Sequence, residues 1–122
     1  MSIETYLHWV KWDYSFIYKG KFFNLTNPIL DIAEFPNKKA VCVIVRLLDT
    51  NSKDSNALIY SDQGNLIKKI EVKANPKYES DRFVRFLWSG IENGEFIIAG
   101  WNETLYVLDP NTYEVLSERY YR

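Results

Sequence analysis

The chain has 122 residues, the size of one ordinary domain, long enough to bury a real core and too short for two independent ones. With 47% hydrophobic and 16% aromatic residues it is not disordered, and a net charge of −1 argues against general nucleic-acid binding, which needs clustered Lys and Arg along a phosphate track. Cys42 is the single cysteine, so no intramolecular disulfide forms; inside the apolar run 40–45 it reads as a small buried hydrophobe.

The four Trp, nine Tyr and seven Phe favour strands, where flat and β-branched side chains pack on a pleated surface, so a mostly β class is expected. Residues 1–27 form an aromatic-rich N-terminal segment that is the least readable part. Ile3, Tyr6, Leu7 and Val10 fit a helical stripe behind Ser2, while Tyr6, His8, Val10 and Trp12 fit strand alternation equally well, so a short helix and an edge strand both remain open. Two aromatic runs, 15–18 and 22–25, flank Lys19-Gly20-Lys21, and Gly20 can take the positive φ that a hairpin loop needs. The segment lacks the basic and apolar regions of a secretion signal, and no apolar run approaches the roughly 18 residues of a membrane span, which points to the cytoplasm.

From residue 28 the pattern becomes regular. Strands are predicted at 29–34, 39–48, 57–61 and 66–72, and again at 83–91, 95–100, 104–108 and 113–121. The run 39–48 is nearly all apolar and should lie centrally, covered on both faces. Pro36 marks a turn at 35–38, Asp62-Gln63-Gly64-Asn65 a second, Asn93-Gly94 a third of type I′, and Asp109-Pro110-Asn111-Thr112 a fourth. Between the two groups of strands lie the polar loop 49–56 and the connector 73–82. A helix competes only at 81–91, where Phe83, Val84, Phe86, Leu87 and Ile91 also fit a 3.6 period.

Each half therefore reads as a four-stranded antiparallel meander, 28–72 and 73–122, within a single domain. The segment Ala57-Leu58-Ile59-Tyr60-Ser61-Asp62 aligns with Thr104-Leu105-Tyr106-Val107-Leu108-Asp109, and the two turn aspartates stand about 47 residues apart, within the range of β-propeller blades. Leu105-Tyr106-Val107-Leu108-Asp109-Pro110 followed by Glu114-Val115-Leu116 resembles the outer strands of propeller repeats of the quinoprotein type. The resemblance spans 57–72 and 95–121, and the turn glycine of that pattern is replaced by Thr112-Tyr113. Two blades cannot close a ring, so the resemblance implies a half-propeller or sandwich-like pair of sheets, with the N-terminal aromatics covering an open edge or face.

Catalytic signatures are sparse. His8 is the only histidine, so neither a histidine pair nor a histidine metal cluster is available. No nucleophile elbow and no glycine-rich phosphate loop occurs. The segment from Asp49 to Asp54 starts like a calcium loop, but Lys53 takes a ligand position, glycine is missing at the sharp turn, and Tyr60 stands where a bidentate glutamate belongs. Glu92 and Glu95 flank a tight turn, where solubility explains them better than glycoside hydrolysis. No cofactor, metal or catalytic residue is expected.

Charge is uneven along the chain. From 79 to 118 stand Glu79, Asp81, Glu92, Glu95, Glu103, Asp109, Glu114 and Glu118 against Arg82 and Arg85, a local net of −6, which reads either as ordinary solvated surface or as a face for a basic partner. In a meander the turns sort to two ends. The tight turns share one end, and the loop 49–56, the connector 73–82 and the turn 101–103 share the other. Long loops on a rigid sheet concentrate binding residues, so Asp49, Asp54, Tyr78, Glu79, Asp81, Trp101 and Glu103 are the candidate partner-binding residues. Trp101 stands either as a half-exposed anchor or as a lid folded over its sheet.

These features are similar in type to bacterial immunity proteins, which neutralise a toxin by covering its active site. The resemblance implies a monomeric, cytoplasmic, non-catalytic protein that binds a basic toxin or nuclease domain and touches neither nucleic acid nor membrane. The alternative is a carbohydrate- or small-ligand-binding β module.

Overall fold

The computed structural model describes residues 5–73 and 83–120; these form eleven strands in three antiparallel sheets, with no helix among the described residues. The first sheet holds β1 (Leu7–Trp9), β2 (Ser15–Tyr18) and β3 (Lys21–Asn24) in that order. The second is the meander β4 (Ile29–Glu34), β5 (Ala40–Val45), β6 (Ala57–Ser61) and β7 (Leu66–Lys69). The third is the meander β8 (Phe86–Glu92), β9 (Glu95–Gly100), β10 (Thr104–Leu108) and β11 (Val115–Tyr120). Both predicted meanders are present, with strand ends shifted by a few residues. Residues 7–9 form an edge strand rather than a helix, and the helical alternative at 81–91 gives way to β8, whose backbone is taken up by β9.

Strand β5 explains how the layers stack. Its six side chains alternate between two cores, and all six are buried. Ala40, Cys42 and Ile44 face the third sheet, joining Ile59, Phe86, Phe96, Ile98 and Leu108. Val41, Val43 and Val45 face the first sheet, joining Phe16, Tyr18, Phe23 and Ile32. The second sheet is thus the middle layer, and the N-terminal aromatics cover its otherwise open face. Phe16 stacks on Phe23 with ring centroids 4.6 Å apart, and both meet the edge of Tyr60. On the opposite side Phe35 stacks on Phe96 at 4.0 Å. Burial pushes the Cys42 thiol well above its ordinary range, so it packs as a hydrophobe.

The tight turns follow their sequences. Asn93 and Gly94 take φ of 51° and 80°, the pair of positive values that a type I′ hairpin demands, and Lys19 and Gly20 do the same at 49° and 76°. Asp109 caps its own turn by accepting the backbone N–H groups of Asn111 and Thr112 at 2.8 and 2.9 Å, and these bonds hold its carboxyl below the ordinary range. Tyr113 takes the left-handed conformation (φ 65°) where a glycine was missing from the sequence pattern. Its ring packs on Phe35, and its hydroxyl accepts the Asn37 side-chain amide at 2.9 Å, joining the β10–β11 turn to the β4–β5 turn. Lys19 reaches Asp62 at 2.9 Å and ties the first sheet to the β6–β7 turn. One end of the molecule is in this way fastened by turn-to-turn contacts. Among the described residues no helix is long and apolar enough to cross a membrane.

Candidate functional site

Among the described residues, three turn and loop segments far apart in sequence gather at the other end. The first is the loop 49–56. Asp49 accepts the Asn51 N–H at 2.9 Å through its carboxylate, and the Ser52 N–H at 3.0 Å through its carbonyl. Asp54 is paired with Lys69 at 3.0 Å, and that bond, with the nearby positive charges, holds its carboxyl below the ordinary range. Both acidic groups are exposed, and their oxygens are engaged in shaping the loop. Ser55 is buried and donates to the Ile70 carbonyl. Asn56, also buried, donates to the Val45 carbonyl at 2.9 Å and pairs with both backbone groups of Phe86 at 2.8 Å.

The second segment is the β9–β10 turn. Trp101 donates its backbone N–H to the Arg85 carbonyl at 3.0 Å, and Glu103 takes a positive φ of 62°. The turn closes against its own sheet through Asn102, whose side-chain amide donates to the Tyr106 hydroxyl at 3.0 Å. A Cβ at position 100 would stand 2.4 Å from the Asn102 side-chain oxygen and 2.9 Å from a Val84 methyl, so any larger residue there requires these side chains to shift. Trp101 is 66% exposed, so its ring does not fold over the sheet as a lid. Arg85 couples the first two segments, since its guanidinium donates to the Asp54 and Ser52 carbonyls at 2.8 and 2.6 Å.

The third segment is the β1–β2 connection. Trp12 has φ 77°, a conformation that costs a bulky side chain on the order of 1–3 kcal/mol. It is held there by its N–H bond to the Ile29 carbonyl at 2.7 Å and by the return bond from the Ile29 N–H to the Asp13 carbonyl at 2.8 Å. The indole remains 48% exposed and is flanked by two cations, Lys11 Nζ at 5.5 Å and the Arg46 guanidinium at 5.7 Å from the ring centroid.

Between these segments opens a cleft of about 650 Å³, lined by Trp12, Arg46, Arg85, Trp101 and the apolar side chains of Leu30, Leu47, Phe83, Val84 and Leu87. A shallower depression of about 360 Å³ continues past Trp12 and Arg46 to Tyr14 and Leu48. No carboxylate lines either hollow among the described residues. Of the predicted binding residues, Trp101 lies on the cleft wall, Asp49 and Asp54 belong to the loop that borders it, and Glu103 lies two residues beyond Trp101. Tyr78, Glu79 and Asp81 lie outside the described residues. Among the described residues, most of the acidic surplus read from 79 to 118 lies away from the cleft, Glu103 excepted. Glu92 and Glu95 sit at the β8–β9 turn, Asp109 and Glu114 at the β10–β11 turn, and Glu118 on β11.

Sequence reasoning missed Trp12, Arg46 and Arg85. Trp12 stands in the β1–β2 turn, Arg85 directly precedes β8, and Arg46 follows directly on the buried run 40–45, the point where a chain leaving the core first meets solvent. Elsewhere, titratable groups serve the scaffold. Glu34 accepts both the Tyr6 and the Tyr18 hydroxyl, which pushes Tyr6 up to about 12, and Asp31 accepts the Ser89 N–H at 2.9 Å across the seam between β4 and β8. No protein family, curated protein or solved structure matches the chain.

Proposed function

We propose that the chain is a non-catalytic protein-binding protein that works as an immunity protein, pressing its loop end onto a toxin and covering the toxin's active site. The observation that carries this reading is the pair Trp12 and Trp101: two large aromatic side chains from distant parts of the chain stand exposed at one cleft, on a scaffold whose opposite end is tied down. Tryptophan and arginine are the residues that most often dominate binding energy at the centre of protein interfaces, and Val10, Tyr14, Leu48 and Leu87 add exposed apolar surface of the same kind. Asp49 and Glu103 supply negative charge outside the cleft, which suits steering of a basic nuclease domain, while the cationic cleft takes the centre of the contact.

The test is co-expression with the product of the adjacent reading frame. The proposal expects protection of the host and a stable complex, both lost in Trp101→Ala; absence of complex and protection for the unaltered chain refutes it. A second reading is favoured by the cleft volume, which lies within the roughly 300–1,000 Å³ of small-ligand pockets and offers indole faces on which a sugar ring can stack. A thermal-shift panel of glycans separates the two: stabilisation by a glycan, without protein capture, supports the second.

A further inference from the structure

Resting on the protein-binding reading, we infer that the cleft receives an acidic side chain of the partner beside an apolar one: a carboxylate held by Arg46, with its apolar neighbour seated between Trp12 and Trp101. Arg46 lines both hollows, and no carboxylate lines either among the described residues. Among the described residues Arg46 forms no ion pair, and its guanidinium stands 5.7 Å from the centroid of the Trp12 ring. A carboxylate set against it gains a charge partner, and the guanidinium fork suits it in geometry.

The charge pattern selects a single carboxylate over a polyanion. Asp13 and Asp49 stand in the adjoining turn and loop, and the net charge of −1 argues against a phosphate track, which needs clustered Lys and Arg. The apolar wall of Leu30, Leu47 and Leu87 accounts for the second half of the recognised unit.

The experiment titrates the full chain with three peptide amides, Gly-Asp-Leu-Phe-Asp-Gly and its counterparts with Asn or Lys in place of both Asp, reading indole emission at low salt. The Asp peptide is expected to bind about tenfold tighter than the Asn peptide, with the Lys peptide weakest, and Arg46→Met is expected to reduce the Asp-to-Asn ratio to about two. Arg46 is exposed, and circular dichroism of the variant confirms its fold. Equal binding of the Lys and Asp peptides, no binding of any, or an unchanged ratio in Arg46→Met overturns the inference. So does concentration-dependent dimerisation abolished by Trp12→Gly, which would give the cleft to a second copy. Toxin protection without peptide selectivity sinks this inference alone, whereas selectivity without protection sinks the immunity role alone.

Discussion

The side-chain amide of Asn56 pairs with the backbone of Phe86 as a neighbouring strand would, its Oδ1 accepting the Phe86 N–H and its Nδ2 donating to the Phe86 carbonyl, each at 2.8 Å. The same Nδ2 also donates to the Val45 carbonyl at 2.9 Å. One buried side chain thereby sews the end of the second sheet to the start of the third, beneath the cleft. Replacing it with Leu leaves three buried backbone groups unpaired. Asn56→Leu is expected to lose about 3 kcal/mol or more in urea unfolding, far beyond a surface substitution. A loss under about 1 kcal/mol would mean that the seam does not depend on this amide.

Tyr113 makes the usual ranking of small residues reverse. Its φ of 65° penalises any side chain, yet the ring packs on Phe35 and the hydroxyl takes the Asn37 amide. Tyr113→Ala keeps the backbone penalty and discards both contacts, at a cost of about 2 kcal/mol; Tyr113→Gly discards the contacts but relieves the backbone, and should be about 1 kcal/mol more stable than the alanine variant. Thermal unfolding of the two variants side by side checks the order.

The pH dependence of stability has two opposing parts. Burial raises the Asp31 carboxyl above its ordinary value, against the smaller lowering effects of the Ser89 and Ile32 N–H groups and Lys11. The folded state therefore holds that proton more tightly than the unfolded chain, so the ionised carboxylate destabilises the fold above the raised value, and this cost fades as pH falls through it. Asp31→Asn should be more stable than the unaltered chain at pH 7, with the gap closing as pH drops toward the ordinary carboxylate range. Asp54 and Asp62 act the other way. Their carboxyls are lowered first by hydrogen bonds from Lys69 and Lys19, so their contribution is present above the unfolded value and is lost as pH falls through the lowered one. Both pairs are solvent-accessible, so this loss should be small, and strong salt should reduce it further. Unfolding curves between pH 3 and pH 8 for Asp31→Asn and Lys19→Met separate the two.

Trp12 and Trp101 should dissociate function from stability. Trp12→Gly removes an exposed ring and relieves a left-handed backbone, so its melting temperature should stay within a few degrees of the parent, while partner affinity falls more than about tenfold. Trp101→Ala should behave likewise. A large stability loss in either variant would identify that ring as part of the scaffold. By contrast, Gly100→Ala should lower the melting temperature, because its new methyl forces the Asn102 and Val84 side chains beside it to shift.

Much of this architecture was legible because it rests on local chemistry. Asn93-Gly94, Asp62 to Asn65 and Asp109 to Thr112 each name a turn, and once the turns are placed the apolar runs between them leave eight strands with little choice of order. The N-terminal segment was ambiguous for a physical reason, since residues 3–12 satisfy both a helical and a strand period, and only the open face of the second sheet selects the strand. Trp101 could be singled out because it stands between Gly100 and a polar break. Trp12, Arg46 and Arg85 could not, because what gathers them is the stacking of three sheets, which no local pattern encodes. Asn56 was hidden in the same way, reading as one more polar residue of a loop while acting as the bond between layers.

Hydrogen–deuterium exchange of the chain, alone and with the proposed toxin partner, tests the central proposal most directly. The account predicts new protection in 10–14, 46–56 and 101–103, with 35–38, 62–65 and 92–95 unchanged. Protection confined to the tight-turn end, or none at the loop end despite a formed complex, would contradict it.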